Sequence, residues 1–163
     1  MSEEKEYNIL VDGTEMAAAL IERYNDSFIG VNPSSVIVMA ISNKKPPKSS
    51  RRKLAVCKRI DPVTKALLRH FNCPAVRYFI EFYGCDWLEM STARRHWVLF
   101  HELMHIPTPG HDSLVRHTVE DHLPMLETEY GIEWFDHPGL PDLLSGEKMQ
   151  FNASKIAALR DNP

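Results

Sequence analysis

His101-Glu102-Leu103-Met104-His105 sets two imidazoles and a carboxylate at a spacing that suits metal-assisted hydrolysis. On a helix, side chains four residues apart lie one above the other, so both rings can reach a single Zn²⁺. The glutamate between them is then placed to take a proton from a water that the metal activates. The surrounding sequence is built for such a helix. Ser91 or Thr92 can cap it, no Pro or Gly interrupts Ser91 to Ile106, and Pro107 and Pro109 end it. Trp97, Val98, Phe100, Leu103, Met104 and Ile106 are apolar, which predicts a largely buried element. Two histidines and a carboxylate on a buried helix need polar partners, because unpaired buried polar groups are costly. A metal is one such partner and ordinary hydrogen bonds are the other.

A catalytic zinc site has three protein ligands and one open position. Downstream of the pair, the chain offers His111, His117, Glu120, Asp121 and His122. His111 has the spacing of an HExxHxxGxxH site, but Thr108 stands where that pattern needs its turning glycine. His117 fits better. Asp112 or Ser113 can cap a second helix from about Leu114, on which His117 and Asp121 share a face at i, i+4. Asp121 would then hold the other ring N–H of His117 and fix its tautomer. The order of preference for the third ligand is His117, then His111, then Glu120 or Asp121 as a carboxylate.

Three blocks of residues carry a resemblance. They are Trp97-Val98-Leu99-Phe100-His101-Glu102-Leu103-Met104-His105-Ile106-Pro107, then Arg116-His117-Thr118-Val119-Glu120-Asp121, then Tyr130-Gly131-Ile132-Glu133-Trp134. Together they resemble the phage metallopeptidases, in which HEL-x-HIP is followed by H-x-x-x-D on a second helix and a closing YG-x-x-W. The likeness spans about residues 30 to 135. It implies an α+β, minimal zincin-like fold with a small mixed sheet on the HExxH helix. It also implies His101, His105 and His117 as metal ligands, Glu102 as the base, and a protein or peptide substrate. Thr118 and His122-Leu123-Pro124 depart from the pattern, and Pro124 is expected to break or kink the second helix.

The rest of the chain must position these groups. Glu15 to Asn25 has helical apolar spacing and can start from Asp12 or Thr14; Val36 to Ile41 and Leu54 to Ile60 read as strands. Asp61-Pro62 opens a helix to about Phe71, since Asp caps and Pro suits a first turn. Val76 to Tyr83 alternates with one clearly apolar face, and is the expected edge strand for a substrate chain. At 163 residues, 44% hydrophobic and 25% charged, the composition fits one domain over 1–163, with 136–163 as a C-terminal extension.

Other features bound the function. A net charge of −3 provides no global drive toward nucleic acid or an acidic membrane, and no apolar run is long enough for a transmembrane helix. The acidic, polar first residues are unlike a signal peptide, so a cytoplasmic setting is expected (host cytoplasm if phage-encoded). Cys57, Cys73 and Cys85 lack CxxC spacing and read as reduced thiols. Residues 44–53 carry Lys44, Lys45, Lys48, Arg51, Arg52 and Lys53. Such a patch can attract nucleic acid, but without interleaved aromatics a solvated loop is the favoured reading. His70 and His96 are expected to face solvent or be hydrogen-bonded, His137 to lie on the surface, and Tyr130 to pack at a helix end. The expected function is zinc-dependent peptide hydrolysis. The alternative is a non-catalytic module whose metal is closed off by a fourth ligand such as His111 or His122.

Overall fold

The computed structural model describes residues 4–42, 54–117 and 121–163. The strands are β1 (Glu6–Ile9), β2 (Val36–Ser42), β3 (Ala55–Arg59) and β4 (Tyr78–Tyr83). The helices are α1 (Val11–Arg23), α2 (Pro62–His70), α3 (Gly84–Glu89), α4 (Thr92–Leu103), the single turn α5 (Leu123–Leu126) and α6 (Ala153–Asp161). The mixture makes an α+β fold.

The four strands form one sheet in the order β1-β2-β4-β3. β2 runs parallel to β4, while β1 and β3 are antiparallel to their neighbours. β4 is therefore interior, which corrects the expectation that Val76 to Tyr83 is the edge. Its alternation holds, with Ile80 and Phe82 fully buried, but the other face is covered too: Glu81 is buried and paired with Lys58 of β3. A strand with partners on both sides cannot accept a third. β3 takes the edge position instead, and β3 faces the histidines.

One face of the sheet carries the core. Val36, Val38, Ala55, Cys57, Ile80 and Phe82 meet Ala17, Leu20, Ile21 and Tyr24 of α1 and a nearly encircling set of buried residues on α4. α1 begins before the expected Glu15. Thr14 lies inside it, donating to Leu10 O and accepting from Val38 N–H, so its hydroxyl ties the helix to β2 rather than capping it. Gly13 permits this approach, because a Cβ there would stand 2.9 Å from Val38 Cγ1. The cap on α2 is as expected: Asp61 accepts from Val63 N–H and Thr64 N–H.

The segment beyond residue 135, expected as a C-terminal extension, contributes to the core. Phe151 stacks on Phe100 with ring centroids 4.1 Å apart, Trp97 Nε1 donates to Pro141 O, and Leu143 and Ile156 are buried in the same cluster. Of the cysteines, Cys57 is a buried free thiol and Cys73 an exposed one. The basic run 44–53 lies outside the described residues. No helix among the described residues is long and apolar enough to cross a membrane.

Candidate metal centre

α4 supplies the first half of the site. Ser91 caps it by accepting from Arg94 N–H, as the sequence predicts. It stops at Leu103, short of the expected end. Ile106 precedes a proline and is steered away from helical angles. The last turn therefore tightens, with His105 N–H bonding to Glu102 O and Ile106 N–H to Leu103 O. His101 and His105 still project to the same side, their ring centroids 5.4 Å apart.

The second half comes from irregular chain, not from a second helix. Residues 111–117 have no regular secondary structure, so the predicted i, i+4 pairing of His117 with Asp121 does not form. Val115 docks this segment instead. Its N–H donates to His105 O over 2.8 Å, and its carbonyl lies 2.6 Å from His105 Nδ1. A carbonyl only accepts, so Nδ1 carries the proton and Nε2 is left as the ligand atom. His117 then reaches His101, with the two Nε2 atoms 3.1 Å apart.

Asp121 serves His101 rather than His117. Its Oδ1 lies 2.7 Å from His101 Nδ1 and also accepts from His122 N–H, while Oδ2 accepts from Trp134 Nε1 over 2.8 Å. Burial alone would raise this carboxyl's pKa, but the hydrogen bonds from His101, Trp134 and the His122 backbone outweigh it and hold it at about 2. Pro124 does not break a helix. It sits in the first turn of α5, where its missing N–H costs nothing, and His122 stands as the residue before that helix.

His122 is the addition that spacing did not rank among the ligands. It is fully buried, and neither ring nitrogen has a hydrogen-bond partner. Burial and the three neighbouring imidazoles push its pKa far down, keeping it neutral and ligand-competent. The ligand atoms of His101, His105, His117 and His122 all lie within 4.8 Å of one another. The six ring-to-ring separations run from 4.4 to 5.4 Å.

These residues fit a metal ion. Zn–N bonds of about 2.0–2.1 Å at tetrahedral angles put nitrogens roughly 3.3 Å apart and imidazole centroids roughly 5 Å apart. The 3.1 Å between His101 and His117 and the centroid distances of 4.4 to 5.4 Å lie near those figures, with all ligand atoms within 4.8 Å of one another. A bound ion would also supply what the buried His122 ring otherwise lacks.

Glu102 lies beside this cluster, 5% exposed. Its Oε2 accepts Cys57 N–H from β3 over 2.8 Å and stands 3.9 Å from His105 Nε2. No periodicity announced that strand-to-helix bond, nor the roles of Val115 O and Trp134 Nε1, since each depends on how distant segments meet. A cleft of about 710 Å³ opens here, lined by Leu54 to Cys57 of the edge region, Val98, Glu102, Leu114, Val115, His117, Trp134 and Phe135.

The remaining candidates lie elsewhere. His111 is exposed and outside the cluster, so it is not brought to the metal position. His137 contacts Tyr130 and accepts from Gly139 N–H. Tyr130 packs edge-on against Trp97, as a packing aromatic should. His96 is buried and paired with Asp142 at 2.9 Å. Glu120 and Thr118 lie outside the described residues.

A family model described as "Putative phage metallopeptidase" matches residues 5–140. No curated protein and no solved structure matches the chain.

Proposed function

We propose that this chain, which belongs to the putative phage metallopeptidase family, hydrolyses peptide bonds with zinc held by the histidine cluster. The observation that carries the reading is the placement of Glu102. Its carboxylate flanks His105 Nε2 at 3.9 Å, opens on the cleft, and is aimed by the Cys57 N–H. A bound zinc ion supplies Lewis acidity, polarising a carbonyl and making water acidic near neutral pH.

The chain's own groups do the rest. Glu102 accepts the proton of the attacking water and passes it to the departing amine. The Cys57 N–H bonds Oε2, the same oxygen that lies toward His105, and fixes the carboxylate against β3. Asp121 and Val115 O hold the His101 and His105 rings with Nε2 toward the metal position. Among the described residues β3 stands at the sheet's edge along the cleft, where its outward groups other than the Cys57 N–H can pair with an extended peptide by backbone hydrogen bonds.

Glu102→Gln tests the reading. Glutamine keeps an oxygen for the Cys57 N–H and cannot take a proton. Peptide hydrolysis is expected to fall by about 10²–10⁴-fold with zinc content unchanged. Unaltered hydrolysis would sink the mechanism.

A second reading is favoured by one observation, the fourth imidazole. Four protein ligands are the mark of a structural zinc site, and a non-catalytic module acting on a protein or nucleic-acid partner would need no more. It leaves unexplained why a buried glutamate faces an open cleft beside the metal position.

A further inference from the structure

We infer that His122 is the retained third ligand beside His101 and His105, and that His117 is a displaceable ligand on the cleft side of the metal position. The inference rests on the metallopeptidase reading and assigns unequal roles to two histidines that distance alone makes equivalent.

Burial separates them. His122 is fully buried, does not line the cleft, and has two ring nitrogens without a hydrogen-bond partner. Such a ring is stable only with a polar neighbour that the protein itself does not supply. His117 is exposed and forms part of the cleft wall.

Anchoring separates them again. The His122 N–H donates to Asp121 Oδ1, and its carbonyl accepts from Met125 N–H and Leu126 N–H at the start of α5. The same Asp121 oxygen lies against His101 Nδ1. Moving His122 would therefore disturb the residue that orients a ring of the HExxH pair. His117 stands on chain without regular secondary structure, and it is the one exposed imidazole of the four that line or adjoin the cleft.

The consequence is a coordination set that is closed at rest. Four imidazoles leave no position for water or a substrate carbonyl. Withdrawal of His117 frees the cleft-facing position, next to Glu102, while His101, His105 and His122 keep the ion. The site thus changes between four protein ligands and three without being built twice.

Zinc content and cobalt(II) absorption of the full chain test this. His122→Ala is expected to weaken zinc binding by more than about a hundredfold, beyond what loss of a supporting contact costs. His117→Ala is expected to keep near-stoichiometric zinc. Its cobalt(II) form should show visible bands weaker than wild type, and should respond to acetohydroxamate at concentrations at least about tenfold lower. Zinc loss in His117→Ala equal to that in His122→Ala overturns the inference, and so does a wild-type cobalt spectrum in His117→Ala. Circular dichroism establishes that each variant folds; if His122→Ala does not, the His117→Ala arm decides alone. Wild-type protein that takes up no zinc removes the metallopeptidase reading itself. Zinc held by wild type and lost by His117→Ala removes only the division of roles.

Discussion

His101 Nδ1 lies 2.7 Å from Asp121 Oδ1, and this contact decides which nitrogen of the ring faces the other histidines. The same carboxylate receives Trp134 Nε1 on its other oxygen. Asp121→Asn can preserve the oxygen toward His101 only by turning its NH₂ against the Trp134 N–H, donor against donor. We expect zinc affinity to fall by about 10–100-fold, the usual cost of losing such a supporting group. Titration with a competing chelator measures it, and an unchanged affinity would remove Asp121 from the site.

Much of the scaffold can be read from residue order, because its causes are local. Asp61 before Pro62 starts α2, Ser91 caps α4, and alternation in β4 puts Ile80 and Phe82 inward. The HExxH pair is legible for the same reason, since α4 and the turn that directly continues it set its geometry. What failed depended on non-local packing. β4 became interior because β2 and β3 pair with it from both sides. Residues 114–117, expected on a helix, are irregular; Val115 bonds to His105 instead, which no helical spacing encodes. His122 joins the histidine cluster through the Asp121 turn, not through any periodicity.

Arg160 is fully buried on the C-terminal helix, and its guanidinium donates to four carbonyls: Ile106, Pro107, Ser27 and Ile29. Two of these follow His105 directly. Arg160→Ala would strand several buried acceptors at once, for a loss of about 3 kcal/mol or more in stability. Arg160→Lys should rescue little, since a single ammonium cannot span the fork that the guanidinium fills. Denaturant unfolding of both variants is the check. Full recovery by lysine would show that charge alone matters there.

The metal-free protein should lose stability as pH falls from about 7 to 5. His96 and His122 both have folded pKa values below the ordinary 6.5, chiefly through burial, with Asp142 partly opposing this at His96. Between the lowered folded value and the unfolded one, the unfolded chain binds more protons, so stability rises with pH there and falls on acidification. The slope is at most about 1.4 kcal/mol per pH unit for each histidine. Asp121, held at about 2, contributes stability above the unfolded value of 3.8 that is lost as pH drops toward 2. Thermal unfolding of chelator-treated protein across this range tests the sign. A melting temperature that rises on acidification would contradict it.

The cleft beside Glu102 is walled by Leu54, Val98, Leu114, Val115, Trp134 and Phe135, so its interior is mostly apolar. A substrate side chain entering it gains by leaving water, whereas a carboxylate gives up its hydration against these walls, offset only in part by Arg116 in the lining. Peptides with Leu or Phe beside the cleaved bond should therefore react about 10–100-fold faster in kcat/KM than the same peptides with Asp. Leu114→Asp, on the cleft wall, should erase that preference while zinc content is retained. A wild-type preference for Asp, or a Leu114→Asp variant that discriminates as before, would mean that substrate side chains do not occupy this cleft.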